Sequence, residues 1–245
     1  MHNTSANCGN SINDCLEVKD TATTFFESNE MTALSKDAAF WSKISQKYAA
    51  DPIRNMEGYL KTLELTKSYL KAEDNVLEIG CGTGSTALLL APHVAHVTAT
   101  DLAPGMIKIA DEKRAKEGLE NVTFKVAEVL EHGLDEGSYD AILAHNLLHL
   151  LPDLDQALEH ISALTKPGGL FISKTVCAPE SGGFKYAMIS RIAIPVLKAL
   201  GKAPFVHFVS GSVLERKIAS AGFDVHYTSD QASMLQSRYI VAQKS

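Results

Sequence analysis

The stretch VLEIGCGTGS, from Val76 to Ser85, joins a strand-like apolar run to a turn that contains three glycines, Gly80, Gly82 and Gly84. Glycine lacks a Cβ atom, so it accepts positive φ and lets backbone N–H groups approach a ligand closely. The TALLLA run after Ser85 predicts a helix whose N-terminus, with its partial positive charge, faces the same ligand. This arrangement is typical of a nucleotide-binding loop.

The spacing of the glycines argues against a dinucleotide site. The fingerprint of such a site, G-x-G-x-x-G, aligned on Gly80 and Gly82, requires glycine at position 85, where the chain has Ser85. Glu78 would lie close to a pyrophosphate, but it could accept hydrogen bonds from a cationic ligand such as S-adenosylmethionine. Asp101 ends the next strand-like run and could accept both hydroxyls of a ribose, a feature that NAD enzymes share.

Four more motifs follow the glycine turn. After VLEIGCGTG come VTATDLAPGMIKIA at 97–110, VAEV at 126–129, YDAILAHNLLHLL at 139–151 and KPGGLFIS at 166–173. With these motifs in this order and at this spacing, the chain resembles the class I S-adenosylmethionine-dependent methyltransferases of the small-molecule type. The match is far more specific than a lone glycine loop.

The segments around these motifs alternate strand with helix. Alternation of this kind predicts an α/β fold with a parallel sheet and helices on both faces. The resemblance implies a Rossmann-like, doubly wound, mostly parallel seven-stranded sheet whose last strand is antiparallel. Strands are predicted at 75–80, 96–101, 122–127, 139–145, 169–176, 223–229 and 237–243, and helices at 85–92, 104–117, 153–165 and 212–221.

Composition bounds the class of protein. The chain has 245 residues, of which 45% are hydrophobic, and its net charge of −6 argues against broad nucleic-acid binding. No apolar run reaches the roughly 18 residues of a membrane helix, and the polar N-terminus lacks the apolar segment of a signal peptide, so we expect a cytoplasmic protein. The four cysteines form no C-x-x-C pair, which predicts reduced thiols and no metal site.

The N-terminal part is predicted to be a tail. Residues 1–30 are rich in Asn, Thr and Ser and show no sustained apolar period, which is typical of a flexible segment. Met31 is a candidate natural start, and a full-length intact mass of the protein from its native cell would contradict that hypothesis. Residues 31–245 are predicted to form a single domain.

Two helices at 35–71 are predicted to precede the sheet. The first is indicated by the apolar stripe of Phe40, Ile44 and Tyr48, which recurs every four residues. The pair Asp51-Pro52 suits the cap and first turn of the second helix.

The resemblance implies where S-adenosylmethionine, and its product S-adenosylhomocysteine, would bind. The turn made by Gly80, Cys81, Gly82 and Gly84 lies against the methionine part of the cofactor. Glu78 either fixes that turn as a structural cap or accepts hydrogen bonds from the ammonium group.

The nucleoside part is implied to lie at the next two strands. Asp101 binds the ribose hydroxyls. Leu102 and Met106 line the adenine slot, although Met106 fits a helix core equally well. Glu128 stands where many family members place an aspartate for the adenine amino group, and Val129 either covers a ring face or belongs to the core.

Two further residues are predicted to border the cofactor. Tyr48 closes over the methionine carboxylate, as similar N-terminal helices do, or it is a core tyrosine. His145 ends the fourth strand, where the family lines the space between cofactor and acceptor, or it is a histidine bonded to backbone. The HNLL sequence at 145–148 replaces the N-P-P-Y of enzymes that methylate base amino groups, so that activity is disfavoured.

Methyl transfer from a sulfonium is an in-line displacement with an activated leaving group, so the protein supplies alignment and excludes water. A general base is needed only when the acceptor loses a proton. The candidates are His145, His149, His207 and Tyr186, and the sequence does not single out one of them. His149, on the turn after the fourth strand, is equally a packing residue.

The segment 178–211 is predicted to be an insertion that covers the substrate. No acidic residue occurs between Ser181 and Leu214, whereas lysines, arginine and many apolar residues do. Such a segment fits a lid over an amphipathic or anionic acceptor, with Tyr186, Arg191 and His207 as substrate contacts, or a transient contact with a membrane surface. A helix packed on the sheet or on a second subunit explains it equally well.

Taken from the sequence, the expected activity is methyl transfer from S-adenosylmethionine to a small, amphipathic or anionic acceptor. The alternative is a protein that binds S-adenosylmethionine or its product without catalysis. A nicotinamide oxidoreductase is the third hypothesis, against which the glycine spacing and Glu78 argue. The methylated atom and the oligomeric state are left open.

Overall fold

The computed structural model describes residues 36–53, 55–130, 134, 136–180, 188, 192, 194–200, 203–231 and 236–245. The predicted tail at 1–30 and the candidate start Met31 lie outside the described residues, so both stay predictions. Among the described residues, no helix has the length and apolar character to cross a bilayer.

One sheet of seven strands carries the described fold. The strands are β1 (Asn75–Ile79), β2 (His96–Asp101), β3 (Val122–Val126), β4 (Tyr139–His145), β5 (Thr165–Val176), β6 (Phe223–Gln231) and β7 (Ser237–Lys244). Their order is β3-β2-β1-β4-β5-β7-β6, and β7 is antiparallel to β5 and to β6 while the other neighbours are parallel. The predicted sheet with an antiparallel last strand is confirmed.

The helices of the described residues are α1 (36–50), α2 (Met56–Lys67), α3 (Ser85–Leu90), α4 (Pro104–Glu117), α5 (Leu154–Leu164), α6 (Ile194–Ala199) and α7 (Gly211–Ser220), with short 3-10 turns at Ala91–His93 and Leu148–Leu150. Six of these seven helices lie within a few residues of predicted segments, whereas α6 lies in the segment 178–211, for which no helix bounds were predicted.

The start of α2 corrects one prediction. Asn55 caps this helix, because its side chain accepts a hydrogen bond from the Gly58 amide at 2.9 Å. Asp51 instead ends α1, where its amide donates to the Lys47 carbonyl at 2.9 Å and its carboxylate lies 3.4 Å from the Lys47 ammonium. The prediction that Asp51-Pro52 begins the second helix is therefore wrong.

Buried side chains form a cluster on each face of the sheet. Successive strand residues point to opposite faces, so Val76 and Leu143 join one cluster, whereas Leu77 and Ile142 join the other. Helices cover both faces: α2, α3 and α4 contribute to the first cluster, and α5 and α7 contribute to the second. The α/β prediction is confirmed.

The order of the strands brings the predicted site residues to one edge. β1 lies between β2 and β4, so the chain moves outward in opposite directions from it. Ligands of open parallel sheets bind at the carboxyl ends of strands at such a switch point. Here the glycine loop follows β1, Asp101 ends β2 and His145 ends β4.

Candidate active site

The glycine loop after β1 has a backbone that favours glycine at three positions. Gly80, Gly82 and Gly84 have φ values of 68°, 55° and 75°, in the left-handed region. The Cys81 amide donates to the Thr100 carbonyl at 2.9 Å, which ties the loop to β2. The loop is therefore fixed by its own backbone and by the neighbouring strand.

Asp101 also holds the loop. Its Oδ2 accepts a hydrogen bond from the Gly82 amide and its Oδ1 accepts one from the Ala103 amide, each at 2.9 Å. Burial raises the pKa of Asp101, although these two bonds act in the opposite direction. A carboxylate has about four acceptor positions, so the two oxygens retain capacity for hydroxyl donors of a ligand.

Glu78 is buried beside the loop. Its position is compatible with both predicted roles, the structural cap and the hydrogen-bond acceptor for an ammonium group. The Ala87 amide, in the first turn of α3, forms a hydrogen bond with its carboxyl group, as a helix cap does. Its Oε2 has no hydrogen-bond partner among the described residues. Burial, followed by the nearby Asp101 carboxylate, raises the pKa of Glu78 to about 8. A cationic group beside Oε2 would favour the ionised form.

Glu78→Gln is expected to flatten the pH dependence of stability in the ligand-free protein. Since the pKa of Glu78 rises from 4.5 to about 8 on folding, the folded state binds more protons between these values, and stability falls as pH rises through that range. The glutamine variant cannot bind this proton, so its free energy of unfolding should not show this decrease with pH. Melting temperatures between about pH 5 and pH 8 test it, with exposed Glu159→Gln as the control. A wild-type slope in Glu78→Gln would contradict the prediction.

Lys113 is a loop contact that the sequence reasoning missed. Its Nζ donates to the Thr83 carbonyl at 3.0 Å, to the Thr83 hydroxyl at 2.9 Å and to the Ser85 hydroxyl at 3.3 Å. Lys113 lies seven residues after Met106 on α4, so both project from the same side of that helix. That spacing is the signal that could have found it.

Two tyrosines from the N-terminal helices lie near the loop. A Cβ atom on Gly82 would lie 3.8 Å from Cε1 of Tyr48, whose side chain is 53% exposed. The Tyr59 hydroxyl lies 3.3 Å from the Thr86 hydroxyl at the start of α3. The structure therefore places Tyr48 next to the loop, as the predicted closing role requires, and adds Tyr59 to it.

A cleft of about 740 Å³ joins most of the predicted residues. The predicted residues that line it are Tyr48, Glu78, Gly80, Cys81, Gly82, Asp101, Leu102, Met106 and His145. Gly84 instead faces the core, where an added Cβ would lie 2.6 Å from Cζ of Phe124. The cleft volume is within the usual range of small-molecule sites.

A second, mostly apolar cleft adjoins the first at Gly80, Leu102 and Leu147. Glu128 and Val129, both predicted to lie near the adenine ring, line it, and the adenine slot itself stays a prediction. Met106 lines the larger cleft rather than this one and is almost fully buried.

His145 and Lys174 face the larger cleft from neighbouring strands. They are register partners in the β4–β5 pair. Burial, assisted by the Lys174 charge, lowers the pKa of His145 to about 4, and its Nε2 has no partner among the described residues. At pH 7 the imidazole is therefore neutral. Lys174 was not predicted as a site residue.

The remaining histidine candidates do not line either cleft. The ring of His149 stacks on Phe208 with centroids 5.7 Å apart, and burial lowers its pKa to about 4. The His207 amide donates to the His149 carbonyl at 2.8 Å, while the His207 side chain is exposed. Tyr186 and Arg191 lie outside the described residues, so their substrate contacts stay predictions.

The comparison with protein families agrees with this geometry. Residues 76–169 match the profile of a family described as a methyltransferase domain. The matched segment contains the glycine loop, Asp101 and His145, so this comparison supports the resemblance to methyltransferases that the five motifs carry.

Relatives with curated descriptions include large synthases and a stand-alone enzyme. A hybrid PKS-NRPS synthetase from Macrophomina phaseolina is 38% identical over 45% of this chain, which corresponds to 3% of that protein. A ubiquinone biosynthesis O-methyltransferase from Xanthomonas axonopodis pv. citri is 29% identical over 73% of this chain and 71% of that protein. The chain spans only 3–6% of the length of the first synthase relatives.

A solved structure has the same fold. Geranyl diphosphate C-methyltransferase from Streptomyces coelicolor A3(2) gives a TM-score of 0.65, with 17% identity over 82% of this chain and 84% of that chain. At this identity the likeness concerns the fold alone.

Proposed function

We propose that this chain transfers the methyl group of S-adenosylmethionine to a small, amphipathic or anionic acceptor. The observation that carries the proposal is one cleft that contains the carboxylates of the buried Glu78 and the half-buried Asp101 at one side and His145 with Lys174 at the other. One side suits a ligand with an ammonium group and a ribose. The other side suits a second, smaller ligand.

The residues present fit the groups of the cofactor. The unpaired Oε2 of Glu78 would accept from the methionine ammonium, and Asp101 would accept from the ribose hydroxyls. Leu102, Glu128 and Val129 would border the adenine ring in the adjoining cleft. When bound, the cofactor supplies an electrophilic methyl group on a sulfonium. The leaving group is then a neutral thioether, which needs no acid to depart.

The chain's own residues align the acceptor and exclude water, which is the main requirement of an in-line displacement. The neutral imidazole of His145 can accept a hydrogen bond from an acceptor hydroxyl and so orient its oxygen toward the methyl group. Leu63, Leu147 and Leu150 give the cleft apolar walls.

The segment 178–211 fits the proposed covering role. Pro204 and Phe205 line the adjoining cleft, and the Phe205 amide donates to Asp37 of α1 at 3.4 Å. This bond connects the segment with the N-terminal helices that border the same clefts. The ubiquinone biosynthesis O-methyltransferase relative, which by its name serves the synthesis of a small molecule, supports a small acceptor.

Calorimetric titration with S-adenosylhomocysteine tests the proposal, with NADH as the matched control and mass spectrometry to detect cofactor carried through purification. We expect micromolar or tighter binding of S-adenosylhomocysteine and none of NADH, because the loop lacks the third glycine of the dinucleotide fingerprint. Radiolabelled S-adenosylmethionine then reports transfer to a panel of amphipathic acids. Tight binding without transfer to any acceptor would favour the non-catalytic alternative, and no binding would refute the site.

A further inference from the structure

Lys174 has an unusual environment for a cation in this cleft. Its Nζ donates to the Thr62 hydroxyl at 3.2 Å. That hydroxyl already donates its own proton to the Gly58 carbonyl at 2.8 Å, so it acts as the acceptor toward Lys174. An ammonium has three N–H donors, and this contact uses one of them. Lys113, the other lysine that lines the cleft, donates to oxygens of Thr83 and Ser85.

No carboxylate of the described chain balances the Lys174 charge. The ion pairs found among the described residues involve other lysines and arginines. Burial lowers the pKa of Lys174, which shows that its charged form is disfavoured where it stands. His145, beside it, is neutral at pH 7 and offers no negative charge. An anion in the cleft would compensate the ammonium.

The sheet fixes the position of this cation relative to the loop. β4 lies between β1 and β5, and Lys174 is the register partner of His145. Neighbouring strands are about 4.8 Å apart, so Lys174 stands roughly 10 Å from the end of β1. A molecule bound at Lys174 can therefore present a reacting atom above β4, beside His145 and facing the glycine loop.

Apolar side chains continue from Lys174 toward solvent. Ile53 and Met56 line the same cleft and are 41% and 49% exposed, which places them at its mouth. Leu63 lies deeper on the same wall and is almost fully buried. The cleft therefore combines a cation inside with an apolar surface that leads outward.

We propose that Lys174 binds an anionic oxygen group of the methyl acceptor and so selects an amphipathic carboxylate over a neutral molecule of the same shape. This inference rests on the proposed function, because a methyl acceptor is assumed. Its test measures only the binding of an anion and does not require methyl transfer. The carboxylate lies against Lys174 on β5, the apolar part extends past Ile53 and Met56, and the methyl-accepting atom lies over β4.

Tryptophan fluorescence gives a direct test, because Trp41 is the single tryptophan of the chain and lines the cleft. The full-length protein is titrated with octanoate and with octanamide, with and without saturating S-adenosylhomocysteine. We expect octanoate to bind at least about tenfold more tightly than octanamide, the ratio expected for one hydrogen bond to a charged group. Lys174→Met should bring the ratio to about one, and Lys174→Arg should retain most of it.

Lys61→Met is the matched control, since Lys61 is exposed on α2 and pairs with Glu57. This variant should keep the wild-type preference for octanoate. Lys174→Gln is the second variant should the methionine variant not fold. A wild type that binds octanoate and octanamide equally, or a preference that survives in both Lys174→Met and Lys174→Gln, would overturn the inference.

The same titrations separate this inference from the proposed function. Calorimetry with S-adenosylhomocysteine is done on every variant, and we expect its affinity to be unchanged in Lys174→Met. If the wild type binds octanoate selectively but not S-adenosylhomocysteine, the proposed function fails and the anion site stands. If Lys174→Met loses S-adenosylhomocysteine and keeps its octanoate preference, Lys174 serves to hold α2 through Thr62, and the inference is refuted.

Discussion

Gly84→Ala is expected to lower the free energy of unfolding by about 2–5 kcal/mol. Gly84 has φ 75°, and a Cβ atom there would lie 2.6 Å from Cζ of Phe124 and 2.8 Å from Cβ of Ala110. The left-handed conformation costs an alanine about 1–2 kcal/mol, and overpacking a core adds about 1–3 kcal/mol. Urea unfolding measures the loss directly.

Gly118→Ala is the matched control, because Gly118 has a similar φ of 68° at the end of α4 but no atom within 4 Å of an added Cβ. It should lose only about 1–2 kcal/mol, from the backbone conformation alone. The difference between the two variants therefore isolates the contacts with Phe124 and Ala110. Equal losses would show that the core beside Gly84 has room for a methyl group.

Asp101→Ala is expected to weaken the binding of S-adenosylhomocysteine by about 1–3 kcal/mol. This loss corresponds to a Kd that is roughly 5- to 150-fold higher. The variant loses the proposed ribose contact. It also leaves the Gly82 and Ala103 amides without the carboxylate that they now contact at 2.9 Å, so the loop is less well fixed. Calorimetry measures the affinity, and circular dichroism checks that the variant is folded.

Asp111→Ala provides the comparison for this variant. Asp111 lies on α4 and pairs with Arg114, and it does not line either cleft. Its removal should leave the affinity for S-adenosylhomocysteine within about twofold of the wild type. An affinity that is also unchanged in Asp101→Ala would remove Asp101 from the cofactor site.

The strands and helices of the sheet region were predictable because their signals are local and strong. α4, for example, was predicted at 104–117 and observed at Pro104–Glu117, with Pro104 at its first position and Gly118 just after it. The start of α2 was not predictable in the same way. Asp51 and Asn55 are both good cap residues, and the choice between them depends on where α1 ends.

The site was predictable only where it follows directly from a motif. Glu78 and the glycines belong to one short stretch, and Asp101 ends the next strand, so the parallel sheet brings them together. Lys174 lies in a strand whose neighbours are known only once the order of the sheet is known. His149 lies within the 3-10 turn Leu148–Leu150 and its ring stacks on Phe208, a contact that no local pattern encodes.

The position of β7 has a consequence for how this domain is made. β7 lies between β5 and β6 and pairs with both, yet it is the last of the seven strands along the chain. During translation β5 is synthesised well before β7, so the edge of β5 that β7 later covers stays open for that period. The sheet therefore closes only after the synthesis of β7, and the nascent chain must keep this edge of β5 from other strands until then.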